Sequence, residues 1–563
     1  MLALLRFSVG HPWLVVVASL LASAVFVCGV PAVEPRLDAR SLIPAGDPAM
    51  AAGDVAARRF ELRDMVVVAV GGRGGGTIYD PAALAVVAAL GRDLARVAGI
   101  VPGSVVSLAT VPRLHIDDDQ LDLRPWLDRG VAPDAAMARR IQTETAALGL
   151  DDGVLAARDG RTAAIYADVR PEADRLRVSR QVQALAAKWS AAGWPIYYSG
   201  TAMAQAVLGE AAAHDLVRLV PVVVAVLAAV LSLAFRHWAP VVVSLLEVGL
   251  SQIWTVGIMG FQHQAVFVTT LVLPVILIVI GMTDDIYALN NYFSQARAEP
   301  GRPVGELIVE SFGEVRFPIL FTTITTFMGL VSIALTRLEP QRVFGLYGGL
   351  SLLFSSLGTF TLVPALLVLF DARPAPRRRL PARAFETAIA RFLPALAKAG
   401  PRRVLASLLL ALAAAGGLAA ARLRVQDNWM ANLPPSSPMV RGDRAINRRL
   451  AGTNTLELML DSGRAEGFLD PAAFAALGAV EDDLAADPAV GTVEGTYGDV
   501  VRVNAALAGA AYRPFRAALR RGGRVLDRTE IEQAAMLIAS APRAPGGQRL
   551  DASGRYSRMT LFV

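Results

Sequence analysis

The sequence predicts a polytopic α-helical membrane protein with seven spans and two exterior α+β domains, the second of them incomplete. Three observations carry that prediction. Of the 563 residues 54% are hydrophobic and 18% are charged, a balance too apolar for a soluble chain of this length. Several apolar runs reach the roughly 20 residues that a helix needs to cross a bilayer. The polar stretches between them are long, and the second resembles the first at a nearly fixed offset.

Taken in order, Arg6 and His11 precede a first span at residues 13–30. Ala22-Ser23-Ala24 would pass as a signal-peptide cleavage site, but the many later spans favour a retained anchor. The polar stretch 31–214 has strand-like runs at 65–70, 105–110, 162–169 and 196–199. Helical periodicity occupies 81–97, 134–148 and 171–191. That order describes a split βαβ, ferredoxin-like domain with residues 112–153 inserted. Five spans follow at 216–235, 240–261, 265–293, 317–336 and 342–370, forming a membrane core over 215–370. Residues 371–403 carry nine Arg or Lys against Asp371 and Glu386, and within them 383–399 is amphipathic and basic, suited to the membrane surface. A seventh span at 404–421 leads to a second polar stretch, 422–563. The positive-inside rule puts Arg6, Arg236 and the basic linker in the cytoplasm and both polar stretches outside.

The repeat fixes the second stretch. Pro44 and Pro48 match Pro434 and Pro438 at an offset of 390, and the run 65–70 matches 455–460 at the same offset. DGRTAAIYADV (159–169) matches SGRYSRMTLFV (553–563) at an offset of 394. Val563 then corresponds to Val169, the last residue of a strand, so the second copy is expected to stop short of its second helix, fourth strand and following spans. Parallel repeats of this kind are one way of building transporters.

The candidate site is Gly281-Met282-Thr283-Asp284-Asp285-Ile286-Tyr287, which follows an uncharged apolar run. A charge at mid-helix costs roughly 2.5–3.5 kcal/mol on insertion scales, so two adjacent aspartates need a reason. On a helix, Gly281, Asp284, Tyr287 and Asn291 form one polar stripe, whereas Asp285 shares a face with Ile278 and Leu289. Asp284 is therefore the expected working carboxyl, against the plainer alternative of a helix that ends at Met282 with both aspartates in water. In the next span Thr325 comes out at the same depth as Asp284. Thr322, Thr325, Thr326, Gly329 and Ser332 make a small polar face there, read either as an approach to the carboxyl or as helix packing. Glu247 is a second acid within a span, without a relay pattern around it and open to a structural or snorkelling role.

Other chemistry is excluded or weak. Cys28 is the single cysteine, so there is no disulfide framework or cysteine-based metal site. The five histidines lack metal-ligand spacing, and there is no phosphate-binding loop, nucleic-acid signature or catalytic constellation. Asp117-Asp118-Asp119 reads as a solvated loop before it reads as a cation site, and Trp13 and Trp238 read as interfacial anchors.

Together GMTDDIY, the Thr-rich PILFTTITTFMGLVSI (318–333), SQIWTVGIMGF (251–261) and SGTAMAQAVLGEAAAHDLVRLVP (199–221) resemble the resistance–nodulation–division superfamily, in its MMPL-like, hydrophobe-exporter branch. The six-span unit of that branch overlaps the sterol-sensing domain. The resemblance implies a proton-driven exporter of lipids or other hydrophobic molecules in the cell inner membrane, with no cofactor. A relay would draw on Asp284, Asp285, Tyr287, Thr322, Thr325 and Thr326. Tyr287 stands where the family has His. Seven spans against the family's usual twelve leave three alternatives for the missing half: a partner chain, a second copy of this chain, or loss. A lipid-binding or sensing module without pumping is the alternative.

Overall fold

The computed structural model describes residues 1–33, 43–44, 46–111, 115–117, 120–122, 125–127, 132–267, 269–373, 401–423, 430, 433–540 and 548–563. The amphipathic stretch 383–399, Asp118, Asp119 and parts of the two proline-containing repeat segments lie outside them.

The chain opens with helices α1 (Leu2–Gly10) and α2 (Pro12–Val27). A mixed stretch follows: α3 (Pro48–Phe60), β1 (Met65–Gly71), α4 (Pro81–Ala95), β2 (His115–Asp117), β3 (Gln120–Asp122), α5 (Ala135–Ala147), β4 (Thr162–Asp168), α6 (Arg175–Ala191) and β5 (Ile196–Ser199). Long helices come next: α7 (Thr201–Phe235), α8 (Trp238–Phe261), α9 (Leu273–Ala298), α10 (Val304–Ala334), α11 (Glu339–Phe360), α12 (Leu362–Leu369) and α13 (Pro401–Ala420). The remainder is α14 (Pro438–Arg449), β6 (Thr455–Asp461), α15 (Pro471–Ala485), β7 (Thr492–Gly495), α16 (Thr496–Leu507), α17 (Tyr512–Arg520), α18 (Arg528–Ser540) and β8 (Tyr556–Phe562).

Two compact units result. An apolar unit holds residues 1–34, 216–336 and 341–428, and a polar unit holds 35–215, 337–340 and 429–563.

Among the described residues six segments are long and apolar enough to cross a bilayer: Pro12–Ala32, Thr201–Phe235, Trp238–Phe261, Thr270–Ala298, Val304–Ala334 and Glu339–Leu369. The seventh predicted span falls on α13, a helix of 20 residues, of which Ala406–Ala420 is apolar among the described residues. Two predicted limits also move. Helix α9 starts at Leu273, where Pro274 sits in its first turn, and not at residue 265. Helix α10 starts at Val304, thirteen residues before the predicted 317, because its first half is amphipathic. Leu307, Ile308, Ser311, Phe312 and Val315 are buried there, while Glu306 and Glu310 reach Arg302 on the other side. The last span breaks at Thr361 (φ −123°, ψ −67°), three residues before Pro364, whose ring nitrogen cannot bond back to the carbonyl of Phe360. Small residues bring helices close. A Cβ on Gly257 or Gly260 of α8 would strike the carbonyls of Phe26 and Gly29 at the end of α2.

In the polar unit the repeat reappears as geometry. The first sheet has the order β4-β1-β5 and the second β6-β8-β7, with every pair antiparallel. Met65 pairs with Asp168 and Thr455 with Phe562, which is the same register at offsets of 390 and 394. The helices behind the first strands, Pro81–Ala95 and Pro471–Ala485, keep the 390 offset to the residue, and each starts at an Asp-Pro pair. The strand predicted at 105–110 is absent as a strand. Only Val106 bridges to Tyr166, since Ser107 and Thr110 bond to each other and to the local backbone, which turns the chain away from the ladder. Each copy sends its leading helix to the other copy. Gly442 of α14 lies against Tyr198, where a Cβ would be 2.5 Å from the carbonyl oxygen, and Asp443 accepts from Ser199 Oγ at 2.8 Å. Arg59 of α3 pairs with Asp551 at 3.2 Å and lies 3.6 Å over the ring of Tyr556.

Candidate functional site

The two aspartates sit well inside a continuous helix. Asp284 is roughly 16 Å from the start of α9 and 21 Å from its end, so a helix ending at Met282 is ruled out. Asp284 and Asp285 are both buried, at 7% and 0% exposure. Successive side chains on a helix diverge by about 100°, and the two acids accordingly meet different neighbours. Thr323 Oγ1 of α10 lies 3.3 Å from Asp284 Oδ2 and 3.3 Å from Ser356 Oγ of α11. Thr359 Oγ1 of α11 donates to Asp285 Oδ1 at 2.7 Å.

A third acid joins them. Glu247 of α8, 1% exposed, accepts from Ser251 Oγ at 2.8 Å and from Ser355 Oγ of α11 at 3.4 Å. Two glycines make room for this. A Cβ on Gly281 would lie 2.6 Å from Ser355 Oγ, and one on Gly358 would collide with Glu247 Oε1. Among the described residues none of the three acids forms an ion pair with Lys, Arg or His, and their polar partners are hydroxyls.

The expected relay residues separate in space. Tyr287 is 49% exposed, one turn along α9 from the buried Asp284. Asn291 instead bonds to the Ser311 carbonyl and to Glu314 of α10. Thr322 and Thr325 are exposed, with hydroxyls turned back to Pro318 and Phe321 of their own helix, and Thr326 is half-buried. Thr323, and not Thr322, Thr325 or Thr326, is the threonine that meets Asp284. A signal for it existed. The buried stripe Ile308, Phe312, Val315, Ile319 extends by one turn to Thr323, but it begins in the part of α10 read as loop. Glu247 was legible too. Ser244, Glu247, Ser251 and Thr255 recur at helical spacing, and all four are buried.

The polar unit has buried acids of another kind. Arg502 of α16 pairs with Asp152 at 3.0 Å, Glu494 at 2.9 Å and Asp499 at 3.1 Å. Arg549 pairs with Glu494 at 2.8 Å and Asp499 at 2.6 Å. Burial and the charge of Glu494 push the Asp152 carboxyl up to about 7 against the pull of Arg502. Burial acts on Glu494 too, yet Arg502 and Arg549 hold it well below the usual carboxylate range. Nearby, burial pushes Glu481 up to about 7 despite Arg516 at 3.3 Å. Among the described residues no group of three or more His, Cys, Asp or Glu side chains is placed to hold a metal ion.

A profile of the MMPL family matches residues 42–398, more than half of the chain and inclusive of all three buried acids of the apolar unit. A Methanocaldococcus jannaschii protein described as a membrane protein is 26% identical over 147 residues, which are 26% of this chain and 37% of that protein. The chain thus matches little more than a third of that relative's length. With its apolar helices and this extent of match, the chain belongs to the MMPL family of membrane proteins.

Proposed function

We propose that the chain works as a proton-motive-force-driven exporter of lipids or other hydrophobic molecules, with Asp284 as the carboxyl that takes and releases the proton. The observation that supports this is the hydroxyl-only surrounding of the buried acids. An uncompensated charge in low dielectric costs several kcal/mol, so a purely structural buried carboxylate is normally matched by Arg or Lys. Where only hydroxyls surround it, the compensating charge must come and go, as a proton does in membrane relays. Asp284 retains slight exposure and Asp285 none, so a proton reaches Asp284 first. A proton crossing the field releases about 2.3 kcal/mol per 100 mV, enough to bias helices that rock between two packings.

The same reading puts the amino terminus and residues 371–403 on the cytoplasmic side of the inner membrane. Both polar stretches then lie outside as split βαβ folds, with α13 as a seventh span. Reporter fusions at Ala156 and Gly522 are expected to read exterior, and a cytoplasmic signal at Ala156 reverses the orientation.

The decisive experiment uses proteoliposomes with an imposed pH gradient and a fluorescent lipid. Wild type is expected to move the lipid and dissipate the gradient together, and Asp284→Asn to do neither. Undiminished movement by Asp284→Asn overturns the proposal. Lipid binding that ignores the gradient selects the sensing alternative instead.

A further inference from the structure

Glu247 is a fully buried acid that the exporter reading leaves without work. Its carboxylate lies on α8, which presents Ser244, Glu247 and Ser251 along one buried stripe. Facing that stripe are Asp285 from α9 and Ser355 and Thr359 from α11. Ser355 and Thr359 are one turn apart and joined by a 3.1 Å bond from Thr359 Oγ1 to the Ser355 carbonyl. One donates to Glu247 and the other to Asp285, so a single helical turn of α11 serves both acids.

We propose that Glu247 and Asp285 form a second proton-holding compartment, distinct from Asp284, whose polar lining among the described residues is hydroxyls. The proposal rests on the proton-coupled reading but concerns a different pair of carboxyls. Both are essentially unexposed, at 1% and 0%, and neither has a basic partner among the described residues. Two ionised carboxylates so placed would each carry an uncompensated charge and would repel one another. A second observation points at the same proton. Asp285 Oδ2 and Ser244 Oγ are both buried, and each lacks a hydrogen-bond partner of ordinary geometry, although Ser244 faces this carboxyl. Thr359 already serves Oδ1, so a proton on Oδ2 finds the Ser244 oxygen waiting as its acceptor. The space is also cut for glutamate, because Gly358 leaves room for Oε1 that a Cβ would fill.

Asp284 communicates with this compartment without belonging to it. Its hydroxyl neighbour Thr323 touches Ser356, the residue next to Ser355 on α11. Helix α11 thereby touches all three acids, directly or through one hydroxyl. A shift of α11 by a fraction of a turn would alter the surroundings of both compartments at once.

The test is infrared difference spectroscopy of the purified full chain in lipid nanodiscs, following protonated-carboxyl bands as pH is varied. Wild type is expected to show buried carboxylic acid bands that persist to neutral pH. Glu247→Gln should remove one and shift another, and Asp284→Asn should leave that pair in place. Ser355→Ala keeps both acids and removes one donor, so it should shift the Glu247 band alone and serves if Glu247→Gln does not fold. A Glu247→Gln spectrum identical to wild type, or a Glu247 ionised throughout the neutral range, overturns the compartment. So does loss of the bands on adding sodium ion at fixed pH, which would make this a metal-cation site. Because the bands are read without transport, a failure of the exporter reading leaves them unchanged and is recognised separately.

Discussion

The apolar and polar units both bury acids, and they neutralise them in opposite ways. In the polar unit Arg502 and Arg549 meet Asp152, Glu494 and Asp499 at 2.6–3.1 Å. In the apolar unit Glu247, Asp284 and Asp285 have hydroxyls and, among the described residues, no guanidinium. The difference teaches what each cluster is for. A permanent countercharge ties elements together, and here Arg502 ties the second copy to Asp152 of the first. A cluster without one depends on a charge that arrives and leaves, which is the property a relay needs.

The largest effect should come from Asp284→Asn. It keeps the size of the side chain and its hydrogen bond to Thr323, so insertion and packing should survive while gradient-driven export falls to background. Asp285→Asn should do less, since Asp285 is the member with no exposure. The comparison breaks if the order of the two variants is reversed in the proteoliposome assay.

Second in size is Arg502→Leu. Removing one partner of a buried pair typically costs about 3–5 kcal/mol, because the acids left behind stay buried and unpaired. Thermal unfolding of the purified chain should show the polar unit strongly destabilised. In the apolar unit Thr359→Val removes a hydroxyl and not a charge, and should cost about 1 kcal/mol. Equal losses would mean that the hydroxyls are structural glue after all.

Third is a pH dependence in the polar unit. Glu481 is raised from its ordinary 4.5 to about 7 in the folded chain. Between those values the native state holds a proton that the unfolded chain has released, so this group's contribution falls as pH rises from about 4.5 to 7 and is flat above. The span corresponds to about 3 kcal/mol at most. Glu481→Gln should therefore be more stable than wild type above pH 7 and nearly equal to it below pH 4.5. Arg516 keeps Asp482 at 2.7 Å in that variant. Asp152, also raised to about 7, retains part of the slope. Urea midpoints across this range check it, and an unchanged slope would rule out Glu481 as its source.

How much could be read in advance differs between the same two units. Spans are legible because lipid demands about 20 apolar residues wherever they fall; the predicted spans 13–30, 216–235 and 240–261 lie wholly within segments that meet that standard, and 265–293, 317–336 and 342–370 overlap one. The repeat was legible because register, once copied, preserves spacing, as Met65–Asp168 and Thr455–Phe562 display. The arginine pairs were not. Asp152 and Arg502 stand 350 positions apart, and nothing local to either announces the other. Azimuth inside a span was the other blind spot. A helix in lipid is apolar all round, so hydrophobicity gives depth without direction. Depth alone therefore does not separate Thr323 from Thr322, Thr325 and Thr326.

Thr323→Val is the smallest effect and the sharpest test of that azimuth. Its hydroxyl lies 3.3 Å from Asp284 Oδ2 and 3.3 Å from Ser356 Oγ, besides bonding back to the Ile319 carbonyl at 2.9 Å. Valine is nearly the same shape, so packing at this buried position should change little while a polar contact is lost. The loss of one such bond is worth about 1 kcal/mol, or roughly a fivefold drop in export rate if the bond matters in the step that limits it. Thr325→Val, at an exposed position with its hydroxyl on its own backbone, should leave the rate unchanged. A defect at 325 with none at 323 would put the wrong face of α10 against Asp284. In that case the azimuth of this helix, and the α11 contact through Ser356 that depends on it, would have to be redrawn.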